Sequence, residues 1–595
     1  MRKVSTAVVG LIVTAVFATA CGSGGSESGS PTSTTPARGS GVRDIALPPT
    51  TVPVDQLCTG PNGPGGPVPN GSKPGDLVAA TRYPATDAQG NPVAGYPTGA
   101  TVSRILYVST GADESDLQLV CGSATIPTAG PRPAADGRVR VFAWAHGTQG
   151  LAQSCLPSTL PTTSIWGPMP GGVQAVSWGS GSGKVTGDPA DGQLQYAVDQ
   201  GWIFATTDYQ PVDTYVLGRV AGANVLDSVR AARQLAAAQF PDSSRAPSDV
   251  VIVGHSQGGH AALWAGQLAD PYLTATGTTS DQMRIRGVEA LAPAANFIVR
   301  PDEQPGTAFG DGLADREMQQ TIELIPGYPL LALPIGPVLF SYIFGSWSQF
   351  SAGTSPRAGS ATPVGPPTGA LDLSKIVTAE GAGTVAKVQP LCLGATDGIA
   401  LALAVGPYRD AKTNRMLVPP VWNLPTNYTV GEYFVGGTDE TCATAPQTLG
   451  GWCEWILWNM PGPLGVNPFP KVPTSGGRPV PLLIAQGTSD TVIHCVAPTD
   501  LPSDAVPSTA DCTSTALFDA LEAEYCPAEG DTTNLALRQF RVAPGSPADH
   551  FSIPGQMAAR SPSDLSYEGS PSQEFVQGAF SGDLPDTCTA EVLDP

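Results

Sequence analysis

Along the first half of the chain, short apolar runs of strand length alternate with longer stretches whose apolar residues recur at helical spacing. The runs "SRILYVST", "VCGSATIP", "VRVFAWAHG", "WIFATTDY", "DVVIVGH" and "RGVEALAPA" are β-branched or aromatic and read as strands. Between them a helix is expected near Leu194 to Gln200 and a second from Val220 to Phe240. In the second, Val225, Leu226, Val229, Ala232, Leu235 and Ala236 recur at steps of three and four, with Arg230, Arg233 and Gln234 turned outward. Strands alternating with helices predict a largely parallel sheet flanked by helices, an α/β architecture. The alternation stops after "ALAPAANF", so residues 58–297 form a first part of the core and residues 298–477, rich in Pro, Gly and apolar positions, an inserted cap. Residues 478–595 resume the core with strand-like segments at Val480 to Ile484 and Gln539 to Val542. Within the cap, Ile322 to Trp347 is the most hydrophobic stretch after the N-terminal segment. Pro326, Pro329, Pro334 and Pro337 interrupt it too often for a transmembrane helix or any long unbroken helix; it packs the cap onto the core, lines an apolar pocket, or does both.

The N-terminus carries a different signal. Arg2 and Lys3 precede an apolar run from Val8 to Phe17, and Ala18-Thr19-Ala20 forms a small-residue cleavage site, so residues 1–20 are expected to be a signal peptide. Cys21 follows at once. "FATAC" resembles a bacterial lipobox, whose cysteine is lipidated and holds the protein to the membrane; the alternative is an ordinary secreted protein. Residues 21–57, rich in Gly, Ser, Thr and Pro, form a flexible tether. Of 11 cysteines, ten remain once Cys21 is given to lipid. Being scattered singly, they suggest disulfides, with Cys442–Cys453 and two of Cys495, Cys512 and Cys526 the nearest neighbours. Five histidines without a zinc-type spacing leave little for a catalytic metal. With 30 Lys and Arg against 51 Asp and Glu, the formal charge of −21 disfavours nucleic acid as a partner.

The chemistry is concentrated in "DVVIVGHSQGGHAALWAGQLAD". A short buried strand, a tight turn and an Ala- and Leu-rich helix enclose Gly254-His255-Ser256-Gln257-Gly258, a G-x-S-x-G pattern in the context that gives it meaning. Small residues two before and two after Ser256 let strand and helix approach, and the helix N-terminus supplies backbone N–H groups. A serine hydroxyl needs a base, and the base an acid to orient it. Downstream, Asp490 lies in a polar turn at the end of an apolar strand, and His550 in a loop after the next one. His494 competes as base but shares Asp490's loop, and Asp549 competes as acid but adjoins its own histidine. Asp208 precedes the serine and reads as a strand-end hydrogen-bonding residue. For the oxyanion, the backbone N–H groups of Thr148, in "AHGTQG", and of Gln257 are expected. His146, His255 and His260 read as packed, hydrogen-bonded rings.

The ordered set "GDLVAATRYPA", "VSRILYVSTGA", "VFAWAHGTQGLAQSC", "QGWIFATTDYQ", "GHSQGGHAALWAG", "GTSDTVI" and "DHF" resembles the secretory lipase family of α/β-hydrolases, exported actinobacterial esterases and more distantly lipases of the Candida lipase A type. The resemblance runs from about Gly75 to Phe551. It implies hydrolysis of carboxylic esters, lipid or acylglycerol, with Ser256 as nucleophile, Asp490 as acid and His550 as base, and no metal or organic cofactor. The chain departs from the pattern in the 60 residues from Asp490 to His550, which contain Cys495, Cys512 and Cys526. The same triad would also serve an acyltransferase or a peptidase, and a triad without activity would leave a tethered binding module.

Overall fold

The computed structural model describes residues 54–593 with internal gaps, the longer ones at 159–191, 298–320, 324–331, 353–368, 406–450, 494–512, 527–534 and 541–549. The expected signal peptide, Cys21 and most of the tether lie outside the described residues, as do His494 and Asp549.

Ten strands form one sheet. In chain order they are β1 (Leu77–Arg82), β2 (Ala100–Thr110), β3 (Leu117–Pro127), β4 (Val139–Ala145), β5 (Ile203–Thr207), β6 (Ser248–His255), β7 (Met283–Leu291), β8 (Leu482–Gly487), β9 (Leu535–Phe540) and β10 (Cys588–Leu593). The spatial order is β1-β2-β3-β5-β4-β6-β7-β8-β9-β10. The first three strands pair antiparallel with one another and β3 with β5, while every pair from β5 to β10 is parallel. This is the α/β-hydrolase arrangement expected from the sequence.

Both faces of the sheet are covered, which is why the central strands are apolar at consecutive positions. Val250 and Ile252 of β6 face helices α2 (Gly218–Gln239) and α3 (Gln257–Ala275), with Leu226, Val229 and Trp264. Val251 and Val253 face the opposite way, onto α1 (Gln193–Asp199), α5 (Ile553–Ala558) and α6 (Pro571–Ser581), with Leu194, Ile553 and Val576. Each such fully buried Val, Ile or Leu contributes about 1.5–3 kcal/mol.

Two expectations need correction. Arg230 does not turn outward from α2: it is buried, donating to Asp227 Oδ1 and the Pro74 carbonyl at 2.9 Å, with Thr276 Oγ1 as a further partner. The antiparallel strands and their lead-in segment cover the face of α2 that its periodicity assigns to solvent. In the second case a 17-residue helix, α4 (Ile335–Ser351), forms across the second half of the proline-interrupted stretch. Pro334 precedes it and Pro337 lies in its first turn, where a missing N–H costs no helical bond. Among the described residues no helix is long and apolar enough to cross a membrane.

Helix α4 anchors a separate apolar cluster. Val338, Phe344 and Trp347 pack with Trp452 and Trp455 of the helix Trp452–Asn459, and with Leu151, Tyr215, Val216, Phe297, Val492 and Ile493 from loops at the carboxyl ends of the core strands. Residues between β7 and β8 thus share their core with the loops that carry the candidate chemistry.

Disulfides join Cys58 to Cys121, Cys155 to Cys392 and Cys526 to Cys588. Cys526 therefore does not pair with Cys495 or Cys512, because its helix ends beside β10. Cys453 is also disulfide-bonded.

Candidate active site

The turn after β6 is built by sterics. Ser256 has φ 58° and ψ −118°, a strained conformation for a residue with a side chain. It persists because the surroundings leave no alternative: a Cβ on Gly254 would stand 2.1 Å from the Gly258 carbonyl oxygen, and one on Gly258 would stand 1.9 Å from that of Ala145. Ser256 N donates to the Leu291 carbonyl at 2.9 Å, and the Ser256 carbonyl accepts from His260 N at 3.1 Å. Ser256 is thereby the cap of α3, and Gln257 its first residue, a position whose N–H has no intrahelical acceptor. The other positive-φ residues with side chains, Tyr209, Val216 and Ala292, also lie beyond the carboxyl ends of strands or in loops around this turn. Strain among the described residues thus collects on one rim of the sheet, the rim where α/β proteins place their ligands.

Asp490 is three residues past β8 and fully buried. Its Oδ1 accepts the backbone N–H groups of Val492 and Ile493, both at 2.9 Å, and its Oδ2 accepts from His550 Nδ1 at 2.9 Å. A carboxylate so held fixes the His550 tautomer, with the proton on Nδ1 and the lone pair on Nε2. His550 is 2% exposed and leads into α5, whose Ile553 and Met557 are packed under the sheet. Its ring centroid lies 4.7 Å from that of His255, the neighbour of Ser256, and His255 Nε2 donates to the His550 carbonyl at 2.9 Å. The structure therefore brings Asp490 and His550 into direct contact and sets His550 against the serine turn.

The loop after β4 lies on the other side of that turn. A Cβ on Gly147 would be 3.3 Å from His255 Nδ1 and 3.7 Å from Ser256 Cβ. Thr148 is buried, its Oγ1 bonded to Tyr215 Oη at 2.7 Å, and Tyr215 is held in turn by Ser346 and Trp347 of α4. Gln149 accepts from Leu393 N at 2.7 Å, and Gly150 bridges to Cys392, which is bonded to Cys155. Tyr215 gave no sequence signal, because its partners are 67 and more than 130 residues away.

The remaining expected structural residues each make a hydrogen bond, while His146 Nε2 and His260 Nδ1 are buried without a partner. His146 Nδ1 donates to the Gly147 carbonyl at 2.6 Å and His260 Nε2 to that of Asn459 at 2.8 Å; burial pushes both rings down to about 4, so they are neutral. Asp208 accepts from Ser158 N at 3.0 Å and from its hydroxyl, and burial raises its carboxyl to about 6. An apolar cavity lined by Tyr215, Phe297, Leu339, Phe340, Ile343 and Ile493 opens between α4 and the acid turn. A polar one, lined by His146, Gln149, Asp208, Tyr209 and Gln257, lies against the β4 loop. Among the described residues no cluster of His, Cys, Asp or Glu could hold a metal.

The sequence match falls on the stretch from α1 through the serine turn to just past α3. Residues 191–278 match the secretory lipase family. The resemblance expected from the sequence is borne out over this segment, which carries Ser256 and Gln257. No curated protein matches the chain in sequence. Among solved structures, Candida antarctica lipase A in its closed state is similar with a TM-score of 0.47 and 15% identity, over 87% of this chain and 86% of that one. The rice cell wall degrading esterase LipA from Xanthomonas oryzae gives 0.43 and 13%, over 78% and 90%.

Proposed function

We propose that the chain is an exported serine hydrolase that cleaves carboxylic esters, those of lipids or acylglycerols, through an acyl-Ser256 intermediate. The observation that carries the reading is the buried 2.9 Å bond from His550 to Asp490, set beside a strained serine turn of secretory-lipase sequence. His550 Nε2 takes the Ser256 proton as Oγ attacks the ester carbonyl, and Asp490 stabilises the imidazolium that forms. The oxyanion is met by the N–H groups of Gln257, at the positive end of α3, and of Thr148. His550 then protonates the leaving alcohol, and a water activated by the same ring releases the acid. The apolar cavity beneath α4 suits an acyl group, and residues 298–477 serve as the cap over it. Export, lipidation at Cys21 and the tether of residues 21–57 complete the reading, which keeps the enzyme at a membrane surface near lipid substrate.

The test is hydrolysis of p-nitrophenyl esters from acetate to palmitate by the wild type, Ser256→Ala and His550→Ala. Each substitution is expected to lower kcat by about 10⁴-fold or more. Activity equal to wild type in Ser256→Ala would remove the assigned nucleophile, and a new ester in place of free acid when an alcohol is supplied would make the enzyme an acyltransferase.

A further inference from the structure

Two imidazoles meet at the site, and the mechanism above uses only one. His255 ends β6 and immediately precedes Ser256; its ring is buried and stands 4.7 Å, centroid to centroid, from that of His550. Its Nε2 lies 2.9 Å from the His550 carbonyl oxygen. Since a carbonyl only accepts, Nε2 carries the proton. Burial, with the neighbouring His550 adding to it, holds the His255 ring well below the usual histidine range, so it stays neutral when His550 becomes charged.

We propose that His255 is a positioning residue that fixes the main chain of His550 against the nucleophile turn, an inference that rests on the Ser256, Asp490 and His550 reading. The Asp490 bond holds one ring nitrogen of His550, and a ring held at a nitrogen keeps its direction best where its main chain is held as well. The His255 bond supplies that second anchor. Because His255 is covalently next to Ser256, a shift of the serine turn carries the base with it, and the separation of nucleophile from base is preserved. A protonated His255 would defeat the arrangement by placing a second positive charge beside the imidazolium.

The experiment compares His255→Leu, which lacks a donor, with His255→Gln, whose amide nitrogen reaches the place of Nε2, using a p-nitrophenyl ester. His255→Leu is expected to lower kcat about 10- to 100-fold with KM within about two-fold, and His255→Gln to return to within about five-fold of wild type. Wild-type kcat in His255→Leu, or equal loss in both variants, would overturn the inference. Ser256→Ala run beside them separates the two readings: if it stays active, the catalytic set itself fails; if it is inactive while His255→Leu is unimpaired, only the positioning role fails. Should His255→Leu not fold, histidine-selective nitrogen-15 spectra of the wild type decide. They are expected to show His255 as the Nε2–H tautomer, and an Nδ1–H tautomer would overturn the proposal.

Discussion

Gly258→Ala is a perturbation whose consequence follows from distances. The added Cβ would stand 1.9 Å from the Ala145 carbonyl oxygen, 2.5 Å from its carbon and 2.6 Å from the His146 carbonyl oxygen. All three are backbone atoms, so no side-chain rotation relieves the overlap. To restore a contact of about 3 Å, the end of β4 and the start of α3 must separate by about 1 Å. These two segments lead into Thr148 and carry Gln257, so the separation widens the donor pair proposed for the oxyanion and tilts Ser256. Overpacking of this kind costs about 1–3 kcal/mol of stability, and a misplacement of about 1 Å costs about 100-fold in kcat. The control is Gly383→Ala in the exposed part of the helix Ala379–Val388, where a Cβ meets nothing within 4 Å. That change should leave kcat untouched and raise stability by about 0.5–1 kcal/mol. The assay is steady-state hydrolysis of a p-nitrophenyl ester alongside urea unfolding. If Gly258→Ala keeps wild-type kcat and stability, the close approach of β4 to α3 is not what builds the site.

Three further outcomes are expected. In Asp490→Asn the Val492 and Ile493 N–H groups demand the amide oxygen, so the amide nitrogen faces His550 Nδ1 and forces the wrong tautomer; kcat should fall about 10⁴-fold with the fold intact, and a loss under ten-fold would contradict the acid's role. Replacing Cys155 and Cys392 by serine together frees the β4 loop from the segment at Leu391–Leu393, lowering stability by about 2–5 kcal/mol and kcat with it; unchanged kcat would show that the Tyr215 contacts alone hold the loop. Stability should also fall on acidification from pH 7 to 5. His146 and His260 bind protons near 6.5 when unfolded but only near 4 when folded, so each loses about 2 kcal/mol over this range, while Asp208, favoured as the acid in the fold, returns about 1 kcal/mol. The expected net loss is about 2–3 kcal/mol or more with His255 added, measured as the shift in urea midpoint, and a protein more stable at pH 5 would contradict the neutral burial of these rings.

The strand and helix pattern around the serine turn was legible because it is local. Glycines at 254 and 258 and a β-branched run before them leave few other folds, and the chain order of serine, acid and base pointed to Asp490 and His550. Distant contacts were not legible. Arg230 reads as a surface residue from helical periodicity, yet a lead-in segment more than 150 residues earlier covers it. Pro337 reads as a helix breaker, but its harm depends on its position within a turn, which composition does not give. The disulfides Cys155–Cys392 and Cys526–Cys588 close loops of 237 and 62 residues, beyond any argument from proximity. His255 looked like packing because its partner is a backbone carbonyl 295 residues away, and no side-chain motif announces such an acceptor.

The central claim is that Ser256 is made nucleophilic by His550 in the folded protein. Mass spectrometric mapping after treatment with a fluorophosphonate tests this directly. One adduct on the peptide containing Ser256 is expected in the native wild type, strongly slowed in His550→Ala and absent after unfolding. Labelling of a different residue, or equal labelling of Ser256 in His550→Ala, would contradict the account.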